Sequence, residues 1–248
     1  MRKAVWLALG MFHSFLVGVM AAAEDDIIIA IDGGIPPYVY PDKVDGIDVD
    51  IMRKASMLGG LSIDFLVSPY NRVERLLIDK KVQAAVSYTP NSAYGAVSAP
   101  IRYWHDGLIV RRGVDFSPEN WKNLKWGTFP AVEASLGDEI NELLPYLKTA
   151  EIIDNTPQVA RMMHAGRMDA YVGDLVAFKH YFEYLRSEEN NADFDVVKVY
   201  KPVPYYLMFV DVSHRDAFNR GLKLLKQSGQ YDWIWAKHIL FGMQSAQF

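Results

Sequence analysis

The sequence contains no cysteine, so it can form neither a disulfide framework nor a thiol nucleophile, and an apolar core must hold the fold. An excess of positive charge is also lacking. With 26 basic against 30 acidic residues and a net charge of −4, nothing pulls the chain toward nucleic acid in general. There is no low-complexity tract, no convincing internal repeat and no second long apolar run beyond the first two dozen residues. Neither a phosphate loop nor a Gly-x-Ser-x-Gly elbow occurs, which leaves motif-based nucleotide-binding and hydrolase readings without footing. Outside the N-terminal segment the histidines are His105, His164, His180, His214 and His238, and no pair has the spacing of a zinc site. No metal and no cofactor are expected.

What is present begins with an export signal. Arg2 and Lys3 precede the mostly apolar AVWLALGMFHSFLVGVM, and Ala21-Ala22-Ala23 supplies a small-residue cleavage site ahead of Glu24. The run is short for a membrane span and holds His13 and Ser14. No cysteine follows it, so no lipid anchor is expected. Cleavage after residue 23 would remove two positive charges and leave a more acidic mature chain. Half of the residues are apolar, enough for a proper core in one large domain or two of about 100 residues.

Short apolar runs alternate with helical patterns. DIIIAID (26–32), LSIDFLVS (61–68) and VQAAVSY (82–88) read as strands, with helices over 48–58 and 70–79 between them. This β-α-β-α-β order predicts an α/β layer with mainly parallel strands. The pattern then repeats in kind: strands over 124–129, 150–154 and 168–174, and helices over 133–144, 157–165 and 175–186, with Thr156 placed to cap the second of these and Pro157 at its first position. DGLIVRRG (106–113) and VVKVYKPVPYYLMFVD (196–211) join the two units, and helices near 214–227 and 230–240 end the chain. A chain that enters a second unit and returns to the first crosses twice, which makes a hinge and a cleft. The expected division is a signal over 1–23, lobe one over 24–108 and 205–248, and lobe two over 109–204.

The stretch VDGIDVDIMRKA puts Asp45, Asp48 and Asp50 within six positions. A helix-loop-helix calcium loop requires a glutamate at its twelfth position, where counting from Asp45 or Asp48 gives Ser56 or Gly59. The triplet reads instead as a helix start, with Asp48 at the N-cap, Asp50 in the first turn and Ile47 stapled onto Met52.

The segment GIPPYVYPDKVDGIDVDIMRKASMLGG resembles the opening of the family 3 periplasmic solute-binding proteins of ABC importers, through Pro37-Tyr38, Gly46-Ile47-Asp48-Val49-Asp50 and Leu58-Gly59. Tyr70, KKVQAAVSYTP (80–90), VSAPIRYWHDGLIVRRG (97–113), NLKWGT (123–128) and AGRMDAYVGDLVA (165–177) extend the resemblance over nearly the whole chain beyond the signal. It implies an α/β, type II periplasmic binding fold, with two lobes closing over a small solute at a two-strand hinge. It also implies a monomer in the periplasm, a small-molecule ligand and an inner-membrane ABC permease or sensor as partner.

The residues that the resemblance carries over are Tyr38 and Tyr70 at the aromatic positions, Asp32 at the end of the first strand, and Asp174 at the ammonium-binding position. Asp174 is also placed to cap the helix that follows it. Tyr88 and Ser92, on either side of the Thr89-Pro90 step, complete the candidate set. The family's carboxylate-clamping arginine after Thr-Pro is missing: Asn91-Ser92-Ala93-Tyr94-Gly95 follows instead, and nothing basic lies between Lys81 and Arg102. Arg72 could supply a cation in its place, as a similar aromatic-x-Arg does in a subset of the superfamily, or lie on a solvated helix face. The lobe-two loop offers Ala131-Val132-Glu133-Ala134-Ser135 rather than Gly-Thr. Tyr103, Trp104 and YYLMF (205–209) are expected to pack the hinge, and Trp233 and Trp235 to anchor lobe one. Two other readings remain: an enzyme resembling secreted cyclohexadienyl dehydratases, with Glu133 or Asp174 as the acid, and a ligandless protein acting through protein contacts.

Overall fold

The computed structural model describes residues 26–241 except 41, 88, 154 and 186–192, so the expected signal and Tyr88 lie outside the described residues. The β-branched run forms β1 (Ile27–Asp32), in which Ile29, Ala30 and Ile31 are buried. Burial of successive residues requires cover on both faces of a central strand. β1 lies between two parallel neighbours, β2 (Ile63–Ser68) and β3 (Ala84–Ser87). The crossovers are α1 (Ile47–Gly59) and α2 (Tyr70–Ile78). Three parallel strands therefore end at one edge, at Asp32, Ser68 and Ser87. Two short strands follow, β4 (Ala96–Val97) and β5 (Arg102–Trp104).

The second sheet is built from β6 (Asp106–Arg111), β7 (Trp126–Thr128), β8 (Glu151–Ile152), β9 (Ala170–Asp174) and β10 (Phe194–Val199), in the order β10-β6-β9-β7-β8. Alternation along β6 sends Leu108 and Val110 to one face, with Val172, and Ile109 to the other, with Val159 and Phe178. Each face is covered by helices, among them α3 (Val132–Leu136) and α4 (Leu144–Leu147) on the first, α5 (Thr156–His164) and α6 (Leu175–Leu185) on the second. The helix expected over 133–144 is broken. Gly137 turns to φ 52, outside the right-handed helical region, and a 3-10 turn replaces the next stretch. α5 is capped one residue earlier than expected, by Asn155, whose side chain accepts the Gln158 N–H at 3.0 Å.

The segment over 196–211, expected to join the two units, consists of two strands. β10 belongs to the second sheet, and β11 (Val203–Phe209) returns to the first, antiparallel to β3. Pro202 lies between them with no N–H to continue a ladder. Likewise 106–113 is not a free connector, since β6 pairs on both sides within the second sheet. The crossing itself is short, with Arg102–Trp104 paired to Val203–Tyr205. The two-lobed α/β architecture stands as expected, the first lobe drawing on both ends of the chain. α7 (Val212–Gln227) packs along α1, and α8 (Gln230–Ala236) precedes a π turn over Lys237–Phe241. Trp235 packs on the lobe-one core, but Trp233 is 61% exposed. α8 turns one face inward, with Ile234, and that leaves Trp233 outside. No described helix is long and apolar enough to cross a membrane.

Candidate functional site

The site is set up by the loop between β1 and α1. Ile47 and Asp48 donate their N–H groups to the carbonyls of Pro37 and Tyr38, both at 3.0 Å, so backbone oxygens satisfy the start of α1 and no side chain caps it. Gly46 makes this approach possible: its φ is 132, and a Cβ there would sit 2.2 Å from the Tyr38 oxygen. Asp48 is consequently not the N-cap. It lies one residue inside the helix and turns inward, where its carboxylate takes Arg102 Nε at 2.5 Å and Nη2 at 2.9 Å. Both side chains are almost wholly buried.

The guanidinium is walled by rings, with the centroids of Tyr38, Trp104 and Tyr205 at 3.6, 3.8 and 4.6 Å. Such contacts favour a desolvated cation, and Asp48 raises the Arg102 pKa further against the effect of burial. Arg102 Nη1 has no hydrogen-bond partner. Tyr103, by contrast, points outward and is exposed.

From this cation the network continues into the second lobe. Tyr38 is buried, and its hydroxyl reaches Asp174 Oδ1 at 3.0 Å and Oδ2 at 3.1 Å. Asp174 also accepts the backbone N–H of Ala177 at 2.7 Å and of His105 at 3.2 Å. It therefore caps α6 while bonding to the first lobe and to the crossing strand. Burial pushes its carboxyl above the ordinary range, although these bonds and Arg102 oppose the shift. Burial, then Asp174, raises the Tyr38 phenol as well.

Directly opposite Asp174 on the neighbouring strand is Asp106. Residues paired in this way put their side chains on the same face of the sheet. Asp106 is 5% exposed, and burial, then Asp174, push its carboxyl up to about 7. Thr128, which closes β7 beside Val172, belongs to the same end of the second sheet. Two raised-pKa acids thus meet at the strand ends nearest the crossing, the region where open α/β sheets collect ligands.

The sequence-predicted residues distribute unevenly. Tyr38 and Asp174 come together directly. Tyr38 does so as a wall, because Arg102 covers its ring and a solute cannot stack there in this conformation. Asp32 ends β1, Tyr70 opens α2, and Arg72 is exposed in the first turn of α2, all at the edge where the parallel strands finish. Ser92 lies elsewhere, in an open depression of about 390 Å³ with Lys80, Tyr94 and Val210. Val210 follows Phe209, the partner of Ala84 at the start of β3, so this depression is at the opposite end of the sheet. Glu133 is exposed at the start of α3.

Sequence reasoning missed Arg102 and Asp106. Asp106 left a signal, since it shares the buried alternation of Leu108 and Val110; Arg102 left none. One grouping of metal-ligand type occurs among the described residues, Asp45, Asp50 and His238, with ligand atoms within 4.8 Å of one another. Asp50 there already bonds Lys237 Nζ at 2.7 Å and His238 Nε2 at 2.9 Å. Against the cost of burial these bonds hold its carboxyl down at about 2, so the grouping acts as an ion-pair cluster tying α1 to the C-terminal turn.

The chain belongs to the bacterial extracellular solute-binding proteins, family 3, whose model matches residues 27–241. Comparison with curated proteins gives no match. Among solved structures it is similar to an ancestral arginine-binding protein bound to glutamine, with a TM-score of 0.64, 19% identity, and 88% of this chain and 99% of that one covered. It is similar also to the arginine-, lysine-, histidine-binding protein ArtJ of Geobacillus stearothermophilus (TM-score 0.62, 19% identity, 89% and 100% covered). A histidine kinase sensor domain with similarity to periplasmic binding proteins matches as well (TM-score 0.67, 18% identity, 87% and 96% covered). At such identities the likeness concerns the fold.

Proposed function

We propose that this protein captures a small amine-bearing solute between its lobes, in the periplasm and as a monomer, and presents it to an ABC permease or to a sensor. The observation that carries this reading is Asp174: a carboxylate at a strand end of lobe two, bonded at once to lobe one through Tyr38 and to the crossing strand through His105. A cationic nitrogen placed there touches groups whose relative position depends on lobe closure. Solute binding then shifts the open and closed populations, because contacts to both lobes exist only when the lobes are together. The short crossing at Trp104–Asp106 and Val199–Val203 is the hinge in this scheme. Relatives that bind arginine, lysine and histidine support a nitrogen-rich ligand; the sensor-domain relative supports signalling as a destination. Asp32 and Arg72 stand at the facing edge and contribute the lobe-one contacts, with Tyr70 at the start of α2 beside them in the chain.

A thermal-shift screen of the protein from Glu24 onward, against amino acids, polyamines, dicarboxylates and aromatic acids, tests the reading. A bound solute raises the melting temperature by mass action. Stabilisation by amines that disappears in Asp174→Ala is the expected result, and an unchanged affinity in that variant rejects the assignment. One observation favours a second reading, acid catalysis in the same cleft, namely the Asp106 carboxyl near 7. Turnover of prephenate or arogenate, followed by absorbance, would establish it.

A further inference from the structure

Asp106 is the group that the fold leaves unexplained. Its carboxylate is nine-tenths buried, yet it accepts no hydrogen bond from any described residue. Most nearby donors are committed elsewhere, while Arg102 Nη1 and the Tyr200 hydroxyl are buried without a hydrogen-bond partner and do not bond Asp106. Arg102 gives Nε and Nη2 to Asp48, Lys198 gives its ammonium to Glu139 and Glu142, and Tyr38 gives its hydroxyl to Asp174. Neither Asp106 oxygen is among the sealed orphan atoms of the core, so both keep a narrow opening to solvent.

An acid in this position destabilises the resting protein twice, through desolvation without a partner and through the like charge directly opposite. Leu108 and Val110, further along the same face of the strand, show what the sheet accepts without such cost. Asp174 across the ladder already accepts from three donors, the Tyr38 hydroxyl and the N–H groups of Ala177 and His105, whereas no described donor bonds the Asp106 carboxyl.

We propose that Asp106 is a second acidic anchor of the cleft, which together with Asp174 receives a cationic head carrying several N–H donors, a primary ammonium or a guanidinium. The inference rests on the amine-binding reading above and sharpens it. Asp174 fixes where the head sits, and Asp106 supplies the lone pairs that the protein's own donors leave empty. Such a pair selects cationic heads and repels carboxylates.

Isothermal titration with L-arginine, L-lysine and putrescine at pH 8 tests the proposal, on the wild-type chain and on Asp106→Asn and Asp174→Asn. The expected result is binding of at least one probe to the wild type and a loss of tenfold or more in Asp106→Asn, with cooperative unfolding retained. Affinity in the wild type should also rise between pH 5.5 and 8. The charged and titratable groups facing Asp106 are Asp174 and Tyr171 from β9, Arg102 from β5, and Tyr200 beyond β10. None of these changes in Asp106→Asn, whose pH profile should be flatter. An unchanged affinity in Asp106→Asn beside a crippled Asp174→Asn would overturn this proposal and leave the amine-binding reading intact. Failure of all three probes on the wild type would overturn both. Loss of folding in Asp106→Asn would also overturn it, since the charge would then be structural.

Discussion

Asp48 in the first lobe and Asp106 at the root of the second are hidden to nearly the same degree, yet their surroundings are opposite. Asp48 has a bidentate guanidinium, itself enclosed by three aromatic rings. Asp106 lies opposite another carboxylate and accepts no hydrogen bond from a described side chain. Burial alone therefore does not give an acid its role. The first lobe treats its buried charge as structure, closing the circuit within α1 and the crossing strand; the second leaves its circuit open at the place where a solute would enter.

The sharpest way to break this contrast is to make Asp48 resemble Asp106. Arg102→Met leaves a buried carboxylate without its cation, which costs about 3–5 kcal/mol by the usual cost of stranding one partner. Urea denaturation measures it, and the double variant Asp48→Asn/Arg102→Met should regain most of the loss. A single variant no less stable than the double would remove the distinction between the two acids.

Next in size is the pH dependence of Asp106. Its folded pKa lies above the unfolded carboxylate value, so the folded state holds the proton more tightly. The corresponding stability is fully present below about pH 4 and is lost as pH rises through about 7. Relative to Asp106→Asn, the wild type should lose on the order of 3 kcal/mol between pH 4 and pH 8 in thermal unfolding. Parallel curves for the two proteins would place the carboxyl in the ordinary range.

The smallest effect is expected at Asp50, which has cationic partners but more solvent. Its folded pKa is depressed to about 2, so its contribution is present above the unfolded value near pH 4 and disappears as pH falls toward 2. Asp50→Asn should cost about 1 kcal/mol at pH 7, solvent screening limiting such pairs, and only a small fraction of that at pH 2. The same melting experiments report it.

Much of the framework was readable in advance because it rests on local periodicity. The alternation of β-branched runs with helical patterns announced β1 to β3 and their crossovers, and the return of the chain announced two lobes. Local signals misled where local geometry deviates: Gly137 interrupts a helix that its apolar spacing supports, and what reads as a connecting segment holds two strands parted at Pro202. Of the candidate site, the placement of Asp174 at a strand end before a helix is legible in the sequence. Tyr38 was identified, but the closure of its ring under Arg102 was not, since no spacing relates positions so far apart in the chain. Ser92 is close in sequence to the end of β3, but the chain runs back along the sheet before reaching it.

The sequence by itself determined the α/β class, the double crossing between lobes and the acid at the end of β9, because strand and helix periods and turn residues act over a few positions. Only the tertiary structure decided which charges meet. Arg102 pairs with Asp48 and Asp106 faces Asp174 through strand register and helix docking, and those are fixed by the packing of residues more than fifty positions apart.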